Sequence, residues 1–192
     1  MLGIFLDLEC NGLNPRLHRA IEIAFRIINL KDGTELTSYH TVISQSEDTW
    51  KQSDPESIQV NGFTFEKILT GKPEEKVRED IVNLFDEYQI RRGKAVFICQ
   101  NPSFDRAFFS GLIPVELQES KLWPYHWLDF ASMYWALEVK NHAIPDQISL
   151  SKDKIAEQYQ LPSEEKPHQA MNGVNHLILC YKKVVGIPQE KK

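Results

Sequence analysis

Gly3-Ile4-Phe5-Leu6-Asp7-Leu8-Glu9-Cys10-Asn11-Gly12-Leu13 is the stretch whose reading decides the fold. An apolar lead runs into two carboxylates two residues apart, and Asn11-Gly12 then turns the chain. The lead reads as a buried β-strand, in which residues i and i+2 share a face, so Asp7 and Glu9 project side by side. Two anions about 4 Å apart repel by roughly 4 kcal/mol at an effective dielectric near 20. A fold that holds them together brings in a proton or a cation, and hard divalent ions such as Mg²⁺ or Mn²⁺ favour oxygen ligands. Alternating charge also suits a solvated edge strand, a reading that the apolar lead opposes.

Outward from this strand, Pro15 to Arg19 is a polar connection, and residues 21–28 alternate with strand period. Lys31-Asp32-Gly33 is a hairpin signal, and Leu36 to Ile43 returns as a third strand, which predicts an antiparallel meander. Asp54-Pro55 starts a short helix that ends before Asn61-Gly62. After Pro73, the spacing of Val77, Ile81, Leu84, Phe85 and Tyr88 predicts an amphipathic helix closed by Arg91-Arg92-Gly93. Ala95 to Cys99 is a continuous apolar run, fitting a buried central strand. A helix over Phe104–Leu112 carries Asp105 in its first turn. Trp127-Leu128-Asp129 reads as a short strand leading into a helix from Phe130 to Val139. Ser149 or Ser151 caps a helix to about Tyr159. The last helix follows Pro167, with Ala170, Val174, Leu177, Ile178, Tyr181 and Val185 along one side. Strands first, then alternating helix and strand, predict a mixed α/β sheet covered by helices.

Length and composition fit one ordinary globular domain: 192 residues, 42% hydrophobic and 26% charged. We expect that domain over residues 1–188, with a short polar tail at 189–192. Lys and Arg number 22 against 27 Asp and Glu, a net charge of −5, so nothing attracts a polyanion in general. Contact with one has to be local or run through bound metal. Cys10, Cys99 and Cys180 lack ligand spacing and read as buried thiols in a reducing compartment. No segment approaches a membrane span, and a cytoplasmic location is expected.

Asp7, Glu9, Asp105 and His168 are the candidate chemical groups. Alone, Asp105 is a helix N-terminal acid favoured by the dipole, and His168 is a capping or solvated imidazole. Together with their surroundings they resemble a family, the DEDDh (epsilon-subunit-like, DnaQ-like) 3′→5′ exonucleases. Phe5 to Leu13 resembles the first family motif, with Cys10-Asn11 where two threonines are common. Ala20-Ile21-Glu22-Ile23-Ala24 is similar to the strand that follows it. Val60-Asn61-Gly62-Phe63-Thr64 resembles a His-Gly-Ile-Thr segment, and Gln100 to Phe109 the second motif. Trp127-Leu128-Asp129 resembles the segment between motifs, and Pro167 to Gly173 the third.

The resemblance implies a ribonuclease H-like fold and removal of nucleotides from the 3′ end of single-stranded DNA or RNA. It implies two Mg²⁺ or Mn²⁺ ions, with Asp7 bridging them, Glu9 holding one, Asp105 supporting the second and His168 accepting the proton of the attacking water. It places Leu13 and Phe104 against the terminal nucleotide, where core packing is the competing role, and it admits a DNA polymerase as partner. Arg91, Arg92, Lys94, Lys182 and Lys183 read as solvated helix ends.

The third motif departs at Gly173, where the family has a metal-ligating Asp. Two outcomes follow. Activity survives with one ion held weakly and Asn172, Glu22 or Asp129 moving in, or the chain binds nucleic acid or a polymerase without cutting. Asp7, Glu9, Asp105 and His168 favour activity.

Overall fold

The opening strand, β1 (Leu2–Cys10), lies at the centre of the sheet in this computed structural model, which describes residues 1–188. The expected tail, 189–192, falls outside the described residues. β1 pairs antiparallel with β2 (Ala20–Asn29), and β2 with β3 (Glu35–Val42), forming the expected meander. On its other side β1 pairs in parallel with β4 (Ala95–Cys99), and β4 with β5 (Trp127–Asp129). The strand order is β3-β2-β1-β4-β5, the mixed sheet of a ribonuclease H-like fold.

Short helices α1 (Glu47–Trp50), α2 (Pro55–Asn61) and α3 (Phe65–Leu69) follow β3, and α4 (Glu74–Glu87) leads into β4. Between β4 and β5 lie α5 (Pro102–Leu112) and α6 (Val115–Ser120). The chain then forms α7 (Phe130–Lys140), α8 (Lys152–Gln158) and α9 (Ala170–Val184).

Alternation along β1 divides the helices between two layers. Ile4, Leu6 and Leu8 pack with Val77, Ile81 and Phe85 of α4 and Phe108, Phe109 and Leu112 of α5. Phe5 points the other way, to Tyr134 of α7, Ile155 of α8 and Val174, Leu177 and Tyr181 of α9, with the Tyr181 ring 5.1 Å away and edge-on. Each such side chain contributes roughly 1.5–3 kcal/mol on burial. By the same period, Asp7 and Glu9 continue the Phe5 face beyond the apolar lead. The sheet is anchored by grease at one end of β1 and opens on acids at the other.

Several boundaries differ from expectation for local reasons. α5 starts at Pro102 and not Phe104, because Asn101 takes a left-handed conformation (φ 57°) and Pro suits the first helical turn. α1, α3 and α6 are too short for a hydrophobic period to show in sequence. Val185, expected on the buried side of the last helix, caps it and stays 37% exposed. The three cysteines are free and buried.

Candidate active site

Asp7, Glu9, Asp105 and His168 line one open cleft of about 340 Å³, together with Phe104. β1 ends there with Asp7 and Glu9. The αL turn at Asn101 and Pro102 swing α5 so that Asp105, 3% exposed, faces the same space. His168 arrives two residues before α9, whose start is fixed by a carboxylate on a neighbouring strand. Glu22 of β2 accepts from the Ala170 N–H through Oε2 (2.7 Å), and its Oε1 lies 2.8 Å from His40 Nε2. That bond satisfies a helix N-terminal donor and holds His168 beside β1.

Leu13 is not in this cleft. It lines an adjoining cavity of about 270 Å³ that shares Leu8, Glu9, Val60 and Phe104 with the first. Two buried asparagines shape the loop between. Asn11 accepts from the Arg19 N–H (2.7 Å) and donates to Ser53 Oγ (3.0 Å), while Asn61 donates to the Cys10 carbonyl (3.1 Å). Both therefore act on backbone and loop closure.

The acids sit in an unfavourable field. Burial raises the Asp7 carboxyl to about 7, with Glu164 and Glu22 adding to the rise and Lys152 and His168 opposing it. Burial also raises Glu9 to about 8, and Asp7 and Glu22 reinforce it. Asp105 is pushed well up by burial and by Asp7, against the pull of the backbone N–H groups of Asp105 and Leu8. Burial therefore favours the protonated form of each of the three, and a cation placed among them would compete with those protons.

The opposite wall was missed in sequence. Lys152, at the start of α8, places Nζ 2.7 Å from Glu164 Oε2 and donates to the Gly173 carbonyl (3.3 Å). Glu164 Oε1 is 3.1 Å from His168 Nδ1, and its Oε2 is 3.7 Å from His176 Nδ1. Burial works to raise Glu164, but His176, Lys152 and His168 together outweigh it and hold the carboxyl at about 2. Burial likewise opposes the Lys152 charge, and Asp7 and Glu164 more than compensate, so its pKa is raised. Lys152 and Glu164 thus form an ion pair, and Glu164 links it to His168 in one connected row facing the acids. One sequence signal existed: a lysine at the first position of a helix opposes the macrodipole and needs a partner.

Gly173 lies buried in α9 against Asp7. A Cβ built there would sit 2.7 Å from Asp7 Cγ and overlap Oδ2, so any side chain at 173 requires Asp7 to turn. None of the expected substitutes reaches in. Glu22 caps α9, and Asp129 caps α7 and accepts from the Asn101 N–H (3.0 Å). Asn172 lines a different cavity, with Asn175 and His176.

Three carboxylates offer only oxygen donors, the set a hard divalent ion prefers. Among the described residues, however, no group of three Asp, Glu, His or Cys side chains stands ready to hold an ion. A cation held by Asp7, Glu9 and Asp105 would have to draw them together.

An exonuclease family model, RNase_T, matches residues 4–177. The chain belongs to this exonuclease family. No curated protein matches this chain in sequence. Among solved structures it is similar to cell-death related nuclease 4 (CRN-4), at TM-score 0.76 and 13% identity over 96% of this chain and 63% of that one. It is similar to E. coli exonuclease I in complex with a dT13 oligonucleotide, at TM-score 0.70 and 15% identity over 95% and 41%. It is also similar to the nuclease domain of 3′hExo, a DEDDh family member, bound to rAMP, at TM-score 0.70 and 12% identity over 98% and 94%. At these identities the likeness is one of fold. This chain spans less than two thirds of the cell-death nuclease and under half of exonuclease I. Among the described residues, no helix is long and apolar enough to cross a membrane.

Proposed function

We propose that this chain is a metal-dependent DEDDh-type 3′→5′ exonuclease that hydrolyses the last phosphodiester of single-stranded DNA or RNA and releases nucleoside monophosphates. The observation that carries the reading is the shared cleft. Asp7 and Glu9 of β1, Asp105 of α5 and His168 before α9 line it, although about 160 residues separate the first from the last. Mg²⁺ or Mn²⁺ held by Asp7, Glu9 and Asp105 would neutralise phosphoryl charge and acidify a water.

The remaining roles belong to the chain itself. His168 Nδ1 faces the Glu164 carboxylate, which leaves Nε2 to take the proton of the attacking water. Glu164, ionised across the physiological range, orients that imidazole and stabilises it once protonated. Phe104 and the adjoining cavity beside Leu13 offer apolar surface to the terminal base and sugar. The cleft is open, as a strand end requires.

Gly173 favours a second reading, binding of nucleic acid without cleavage. One experiment separates the two: a 5′-labelled single-stranded oligonucleotide, DNA and RNA in turn, incubated with millimolar Mn²⁺ or Mg²⁺. The proposal predicts a ladder shortened from the 3′ end. Retained oligonucleotide of unchanged length supports the binding reading and rejects catalysis.

A further inference from the structure

We infer that the Lys152 ammonium is a resident cation of the cleft, occupying the charge position that a second metal ion would take, so that this chain binds one divalent ion and not two. The inference rests on the exonuclease reading above and concerns the same site.

Three observations carry it. First, the α9 side of Asp7 offers no ligand for a second ion. Gly173 presents only backbone there, packed so tightly that a Cβ would overlap Asp7 Oδ2. Second, that backbone is already used, because the Gly173 carbonyl accepts from Lys152 Nζ at 3.3 Å. Third, the lysine is a built feature and not a passing surface charge. Its side chain is 12% exposed, and its Nζ is 2.7 Å from the buried Glu164 carboxylate.

A lysine this enclosed survives only where anions surround it. Here they are Glu164 in direct contact and Asp7 across the cleft, the largest attraction it feels. A dication placed between Asp7 and Gly173 would meet an ammonium fixed on the Gly173 carbonyl, with no carboxylate from α9 to offset the repulsion. Among the described residues Lys152 is the one lysine or arginine that lines the cleft, so Glu9 and Asp105, with Asp7, would hold the single ion. The charge that α9 lacks is thus answered by a charge from α8: loss of one anion and gain of one cation both remove the need for the second metal.

The test counts ions and does not depend on turnover. Calorimetric titration of the full chain with Mn²⁺ at pH 8, with a nucleoside 5′-monophosphate present, should give one ion per chain. Lys152→Arg keeps the charge and should also give one. Lys152→Met removes it, frees Glu164, and should either admit a second ion or tighten the first at least tenfold. Two ions on the unmodified chain overturn the inference while leaving the metal-dependent reading intact. No ion on the unmodified chain overturns both. A folded Lys152→Met that binds one ion with unchanged affinity assigns the single ion to Gly173 alone and overturns the role of Lys152. Should Lys152→Met not fold, the counts for the unmodified chain and Lys152→Arg decide: one each supports the inference, and two in either overturns it.

Discussion

The cleft has two walls of opposite design. The wall from β1 and α5 carries Asp7, Glu9 and Asp105, crowded acids whose pKa values burial raises. The wall from α8 and the approach to α9 carries Lys152, Glu164 and His168, a row in which the Lys152 and Glu164 charges pair and the same carboxylate contacts the imidazole. One wall is short of positive charge and the other is balanced. The difference teaches how the proposed chemistry would divide between them: the acids would take the cation, and the paired row would fix the imidazole.

Breaking the acidic wall should have the largest effect. Asp7→Asn removes the acid that feels Lys152, Glu164 and His168 across the cleft, and we expect chain shortening of a labelled oligonucleotide to fall at least about 100-fold, the order seen when a preorganised electrostatic contact is lost. Breaking the balanced wall should cost less. Glu164→Gln leaves His168 without its anion, and kcat should drop about 10–100-fold, the usual cost of removing such a supporting partner. Its pH–rate profile should also change, since an imidazolium no longer faces a carboxylate. The same change leaves Lys152 buried beside a neutral amide and should destabilise the fold by roughly 3 kcal/mol, read from urea unfolding.

Apolar contacts sharpen the comparison further out. Phe104→Ala should raise KM for an oligonucleotide about tenfold, within the range of a lost base stack, and Leu13→Ala, on an exposed loop, by less.

The walls also differ in how pH acts on them. Asp7 and Glu9 bind protons more tightly folded than unfolded, because their values rise from 3.8 and 4.5 to about 7 and about 8. Stability therefore falls as pH climbs from about 4 to 8, where the unfolded chain has shed those protons and the folded chain gives them up at a cost. Glu164 works oppositely: its value drops from 4.5 to about 2, so its contribution is present above about 4.5 and is lost on acidification towards 2. Without metal, Tm should decline between pH 5 and 8, and Asp7→Asn should recover roughly 5 °C at pH 8, given about 2–4 °C per kcal/mol in a chain of this size. Mn²⁺ affinity should rise over the same interval, since the ion displaces protons.

The acidic wall was legible from sequence, and the balanced wall was not. Asp7 and Glu9 share a strand, so period 2 alone places them together, and Asp105 follows an apolar strand through a Pro-marked turn. Lys152 and Glu164 belong to a short helix and an irregular segment, where no period links position to direction. Their partners are set by how α8 packs against α9, which only the fold supplies. Glu22 shows the same limit. In sequence it was a spare carboxylate, and in the structure it is the anchor of α9.

Diffraction from crystals soaked in Mn²⁺ and a nucleoside 5′-monophosphate tests the arrangement most directly. The account predicts anomalous density at Asp7, on the side of Glu9 and Asp105, with the phosphate between that ion and His168 and nothing metallic beside Gly173. Nucleotide and metal bound elsewhere, with Asp7 and His168 touching neither, would contradict it.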